Sequence, residues 1–325
     1  MPKTIKTILK LTLTLAIFYF LFRKFNIKIS VIFEHVEWFP YIILGALIRL
    51  VVIPVITINR WKMFLKVSGI EEKFFSLLKI SFTSSFLGVI LPSSQGSDVM
   101  RMYLIEKRHK SESNTLTPSS SVLIERMIGF ILLALTGLCC SILIPNFAQK
   151  EKVVFIIAAI NLFILAVVIF LTNKKIYKLV SRFLLKITIL KKAFAFVEKS
   201  HLSLVTFPYQ KILFPSVFLI LLLQLCTITI AYLVFLSFGI QLPFYQHISF
   251  YPIIVILSVI PLSISGLGLR EGFFVYFYSM VGVPPEIAIG VSLVNYTIET
   301  LLAVGVGGAI VLFDTLKTKQ NIQSN

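Results

Sequence analysis

Residues 212–236 read ILFPSVFLILLLQLCTITIAYLVFL, 25 positions without one acidic or basic side chain. A helix of that length covers the roughly 30 Å hydrocarbon core of a bilayer, and lipid tolerates only segments that satisfy their backbone polar groups internally. A comparable run extends from Ile287 to Phe313. The chain is 57% hydrophobic, with 30 Phe, so a soluble domain is excluded. Its 31 Lys and Arg give a formal net charge of +17, but they sit in short segments between apolar runs. That distribution marks cytoplasmic loops beside anionic lipid headgroups, and it excludes a nucleic-acid binder. Three cysteines, with Cys139 and Cys140 adjacent in an apolar run, fit neither a disulfide framework nor a zinc site.

Working outward, Lys3, Lys6 and Lys10 precede the apolar stretch Leu11 to Phe22, which Arg23 and Lys24 close without a small-residue cleavage pattern. This predicts a retained first helix rather than a signal peptide. A second span is expected over Trp38 to Ile58, with Arg49 close to its centre, about 14–16 Å from either end. Ile80 to Leu91 is too short to cross alone and breaks at Pro92-Ser93-Ser94-Gln95-Gly96-Ser97-Asp98, with basic residues on both flanks. A hairpin that enters and leaves on one side fits both length and charge. Residues 121–144 and Val153 to Leu171 predict two further spans around a short outer connection at Pro145 to Lys152. The connection 173–211 carries nine basic residues against Glu198, which places it in the cytoplasm, and Ile176 to Val197 suits an amphipathic surface helix. Gly239 to Gln246 has no Lys or Arg and is expected outside. Ile248 to Ile260 is again short and breaks at Pro261-Leu262-Ser263-Ile264-Ser265-Gly266-Leu267-Gly268, and Phe273 to Val281 completes a second hairpin.

The predicted fold is thus one all-α polytopic domain over residues 1–325, with about six full spans and two opposed re-entrant helical hairpins. Both termini are expected in the cytoplasm, and the hairpins suggest an inverted repeat. Eight ordinary spans are the competing reading.

Ionisable residues inside apolar segments are expensive and carry the functional signal. Arg49, Asp98, Arg101, Glu125, Arg126, Arg270, Glu271 and Glu299 all lie in or at the edge of such segments. Four acids and four arginines can pair and simply brace broken helices, which is the structural alternative for Glu125 and Glu299. Arg49 and Arg270 fit substrate contact better, because a guanidinium matches phosphate bidentately and a broken helix adds backbone donors. Ser292, Asn295 and Glu299 recur at three- and four-residue spacing on one helix face, followed by Gly305, Gly307 and Gly308. Tyr103, Tyr276 and Tyr296 are close in sequence to these positions. His35, His109 and His201 fall in connections and His247 at a helix mouth, so no histidine is placed deep in a span.

Leu91-Pro92, Gly96-Ser97-Asp98-Val99-Met100-Arg101, Val122-Leu123-Ile124-Glu125-Arg126 and Pro261 to Gly272 together resemble the lysylphosphatidylglycerol synthetase membrane-domain family, also described as flippase-like. Arg60-Trp61 and Gly307-Gly308 fit the same pattern, although Gly96-Ser97 replaces the usual double glycine. The resemblance implies transbilayer movement of an anionic, aminoacylated or glycosylated lipid, or of an isoprenoid-linked lipid, in the cell membrane. It implies membrane lipids and envelope-lipid or polysaccharide synthesis enzymes as partners, with a homo-oligomer allowed and no nucleic acid. No cofactor or metal is expected. About a dozen residues follow Phe313, so the aminoacyl-transferase domain of some relatives is not expected here. Two other readings stand beside transport. One is a membrane transferase using Asp98 or Glu271 with an arginine on a lipid phosphate; the other is a non-catalytic member of an envelope-synthesis complex.

Overall fold

The computed structural model describes residues 12, 19, 23, 36–91, 95–109, 117–143, 150–184, 205–259, 263 and 266–323. Among them every regular element is helical, and five helices are long and apolar enough to cross a membrane, with two shorter apolar helices beside them. The chain is an all-α polytopic membrane protein. Most of the first apolar stretch, residues 185–204, most of the expected outer connection Pro145 to Lys152, Pro92 to Ser94 and most of the Pro261 to Ser265 break lie outside the described residues.

Helix α1 covers Phe39–Leu47 and Ile53–Val67, joined without interruption by a π-turn at Ile48–Val52. The expected end at Ile58 is therefore nine residues too early. Pro54 has no N–H for the Leu50 carbonyl four residues back, and the helix widens so that Ile53 donates to Ile48. Arg49 lies in that widened turn. Asn59 to Lys66 continue the helix because Arg60, Trp61, Phe64 and Leu65 are buried against the rest of the bundle.

Helices α2 (Phe74–Ile90) and α3 (Gly96–Arg108) form an antiparallel hairpin. At its tip Leu91, the residue before Pro92, turns extended at φ −81°, ψ 133°, as a pre-proline residue prefers. The arms meet backbone to backbone there: a Cβ on Gly96 would lie 2.5 Å from the Gly88 carbonyl oxygen. At the other end Glu72, just before α2, contacts Arg108 and lies 2.7 Å from His109 Nε2, just after the last residue of α3. Both feet therefore lie together. Helix α2 begins six residues before the expected Ile80, since Lys79 leaves sideways to Asp314 Oδ1 at 2.6 Å and does not stop the helix.

Two long helices follow, α4 (Pro118–Leu143) and α5 (Lys150–Thr172); at Asn173 the chain turns into α6 (Lys174–Leu184). The Asn173 side-chain oxygen accepts the Lys175 and Ile176 N–H groups, capping α6. This short basic amphipathic helix covers the first part of the expected surface helix. Along α5, Phe155 and Phe163 are about three-quarters exposed, as suits a helix whose remaining neighbour is lipid.

The second half contains α7 (Leu213–Ser237), α8 (Phe244–Ser258), α9 (Leu269–Ser279) and α10. Helix α10 covers Pro285–Leu302 and Gly308–Gln323 through a second π-turn at Ala303–Gly307. Again α8 and α9 pack as a hairpin with adjoining feet, since His247 Nδ1 lies 3.0 Å from the Tyr278 hydroxyl. His247 is completely buried among Tyr232, Phe235 and Tyr278, not open at a helix mouth. Helix α9 starts four residues before the expected Phe273, because Arg270 and Glu271 form its first turn.

Three apolar cores result among the described residues, the smallest formed by Phe64, Ile124, Phe207 and Ile212. Ile58, Trp61, Leu65, Leu77, Ile80 and Ile105 pack around the first hairpin. Phe235, Phe250, Phe274, Phe277, Tyr278 and Ile289 pack around the second. The π-turn of α10 locks onto α2: a Cβ on Gly307 would overlap the Phe82 carbonyl oxygen and lie 2.8 Å from Phe86 Cβ. Close approach is thus required at Gly307, while Gly305 faces open space.

Candidate functional site

The hairpin tips put polar residues beside apolar spans, and three ionic groups assemble there. In the first, Glu125 on α4 is fully buried and accepts from Arg60 Nε at 2.8 Å, from a second Arg60 nitrogen, and from Arg101 Nη2 at 2.9 Å. Arg101 also lies 3.5 Å from Asp98 and 4.8 Å above the Trp61 ring, whose Nε1 donates to Ser121. Asp98, in the first turn of α3, accepts a hydrogen bond from Arg126 Nη2 at 2.7 Å, and Arg126 Nε lies 2.7 Å from its other oxygen without hydrogen-bond geometry. Asp98, Arg101, Glu125 and Arg126 were all legible as candidates. Arg60 was not, because its neighbours Lys62 and Lys66 make it look like another flanking charge.

The second group joins α9 to α10. Glu271 accepts the Gly268 N–H at 2.6 Å, the Ser292 hydroxyl at 2.9 Å and Arg270 Nη2 at 2.7 Å. Gly268 adopts φ +84°, which a side-chain-bearing residue rarely reaches, and this presents its N–H to the carboxylate three residues on. Arg270 Nε also donates to Ser292, and its guanidinium lies 4.7 Å over the Tyr296 ring. Glu271 is completely buried, so Arg270 acts first as its counter-ion. Tyr103 and Tyr276 are exposed.

The third group lies between the others. Arg49 Nη1 donates to Glu299 Oε2 at 2.7 Å, bridging α1 and α10. Tyr251 on α8 faces the Arg49 guanidinium and feels the charges of Glu299 and Arg270. Glu299 is also within electrostatic range of Arg126 in the first group. The Ser292, Asn295 and Glu299 face of α10 therefore runs from Arg270 to Arg49, as its spacing predicts. Asn295 touches neither arginine; its Nδ2 donates to Val291, and its buried Oδ1 has no partner among the described residues. Asp98 and Arg270 make no direct contact.

Exposure separates these groups. The Glu125 and Glu271 side chains are 0% accessible, whereas Glu299 is 61% and Arg126 41% accessible. Carboxylates and guanidiniums that open outward from apolar spans need water or a polar ligand, since lipid would strip their hydration. Among the described residues no group of three or more His, Cys, Asp or Glu could hold a metal.

Two comparisons bear on the chain. The family described as the lysylphosphatidylglycerol synthase TM region matches residues 7–307. A UPF0104 membrane protein of Methanothermobacter thermautotrophicus is 25% identical over 284 residues, covering 79% of this chain and 78% of that protein.

Proposed function

The chain belongs to the lysylphosphatidylglycerol synthase TM-region family, and from that premise we propose that it moves a lipid with an anionic headgroup across the bilayer. The observation that carries this reading is the polar route through apolar spans: Asp98 and Arg126, then Glu299 and Arg49, then Tyr251 and Arg270. Headgroup phosphate exchanges between guanidiniums along that route while acyl chains stay in lipid. Arg49, Arg101, Arg126 and Arg270 supply the cationic edges; Asp98, Glu125, Glu271, Asn295 and Glu299 hold and space them. The work here is binding and passage, not bond chemistry.

In this reading α2–α3 and α8–α9 are re-entrant hairpins entering from opposite faces, related as an inverted repeat within one domain over 1–325. A sixth full span is expected from the apolar run of the sequence at Leu11 to Phe22, outside the described residues. Adjoining feet support the hairpins: Glu72 with Arg108 and His109 in one, His247 with Tyr278 in the other. Charge bias places both termini and the 173–211 connection in the cytoplasm. Single-cysteine labelling of intact cells, in a background lacking Cys139, Cys140 and Cys226, should reach Gln241→Cys and not Ser200→Cys; the reverse pattern rejects this orientation.

Transport itself is tested with purified protein in liposomes carrying fluorescent phosphatidylglycerol, phosphatidylethanolamine or an isoprenoid phosphate in separate preparations. Leaflet-selective quenching should show protein-dependent movement of an anionic probe. If no anionic probe moves faster than in protein-free vesicles, lipid movement by this chain alone is wrong.

A further inference from the structure

The four carboxylates of the polar route are not equivalent. Glu125, Asp98 and Glu271 are each buried and held by at least two donors. Glu299 has one such partner among the described residues, Arg49 Nη1, and most of its surface is open. Arg49 is the opposite case: only 15% exposed, with Glu299 as its sole carboxylate partner and its buried Nε without an acceptor among the described residues. A buried guanidinium tied to an open carboxylate is the contact an incoming anion can exchange at least cost. One charged pair breaks as another forms, and the displaced carboxylate returns to water.

We infer that Glu299 is an internal surrogate for the headgroup, occupying Arg49 at rest and yielding it to a singly charged phosphodiester during passage. The charge balance sets the ligand class. Arg49, Arg60, Arg101, Arg126 and Arg270 face Asp98, Glu125, Glu271 and Glu299, which leaves one excess positive charge across the three groups. A phosphodiester neutralises it. A phosphomonoester, carrying nearly two charges above neutral pH, leaves a net negative charge beside Glu299. Glu299 thereby favours the diester over the monoester and returns Arg49 to a paired state when the headgroup leaves. Arg49 binds; Glu299 sets specificity and release.

This inference rests on the transport reading for the location of the headgroup, but its test is equilibrium binding. Purified protein in nanodiscs of neutral lipid is titrated at pH 8 with dihexanoyl phosphatidylglycerol, a diester, and with dihexanoyl phosphatidate, a monoester. Wild type should prefer the diester. Glu299→Gln removes the competitor and one negative charge, so diester binding should tighten about tenfold, the scale of one charged hydrogen bond, while phosphatidate gains more and the preference collapses. Glu299→Asp keeps the charge and should keep the preference, which separates charge from folding effects. The inference is overturned if wild type binds neither probe, if it binds both alike, or if folded Glu299→Gln retains the wild-type preference. Movement in liposomes without these binding changes would leave the transport reading standing and remove this one; the binding changes without movement would do the reverse.

Discussion

Glu125→Gln should be among the most damaging isosteric changes in this chain. The side chain keeps its size but loses the charge that balances Arg60 and Arg101, and its amide nitrogen then faces guanidinium donors. Burial makes the loss large: Glu125 is 0% accessible, and Arg60 and Arg101 are each 4%. Arg101 retains the Trp61 ring and a 3.5 Å contact to Asp98, whereas Arg60 has no other acceptor among the described residues. Breaking one side of a buried ion pair costs about 3–5 kcal/mol, so the variant should be destabilised on that scale. Removing the stranded partner as well, in Arg60→Met with Glu125→Gln, should recover part of the loss, giving a coupling energy of roughly 0.5–3 kcal/mol. Denaturation by SDS in mixed micelles, followed by Trp61 fluorescence in a Trp38→Phe background, measures Glu125→Gln, Arg60→Met and the double variant. If Glu125→Gln lies within about 0.5 kcal/mol of wild type, or the two changes add, the network is not the brace described here.

Gly307→Ala should destabilise by roughly 1–3 kcal/mol, because its Cβ meets the rigid backbone at Phe82, while Gly305→Ala should be tolerated; equal effects in the same SDS titration contradict the close approach. Arg270→Lys keeps a charge but cannot serve Glu271, Ser292 and Tyr296 together, so lipid movement should fall sharply in folded protein, and unchanged rates with both Lys and Ala remove Arg270 from the route. Burial alone would raise the Glu72 carboxyl, but the Ser76 hydroxyl, His109 and Arg108 together outweigh it and hold it below its ordinary value of 4.5. Its stabilising contribution is therefore complete above that ordinary value and is lost as pH falls through the lower folded one. Hydrogen-exchange protection factors at residues 105–109, referenced to the intrinsic exchange rate at each pH, should fall in that acid window in wild type and be low without that step in Glu72→Gln; protection factors that do not change in wild type count against the foot contact.

Sequence by itself determined that this is a helical membrane chain, where its apolar runs break, and which ionisable residues they enclose. Bilayer hydrophobicity acts on each segment separately, so a run such as 212–236 declares itself without reference to any other part of the chain. The Ser292, Asn295 and Glu299 face was readable for the same reason, since helical periodicity is local. Helix ends were less so: Lys79 and Arg60 look like boundary charges, yet both lie inside helices because distant partners, Asp314 and Glu125, receive them. Only the tertiary structure decided which arginine serves which acid. Arg49 and Glu299 are 250 residues apart in the chain and 2.7 Å apart in space, while the sequence neighbours Arg270 and Glu271 share Ser292 from a helix more than 20 residues away. Pairing energy depends on distance and desolvation between elements, and neither is encoded in the spacing of any one of them.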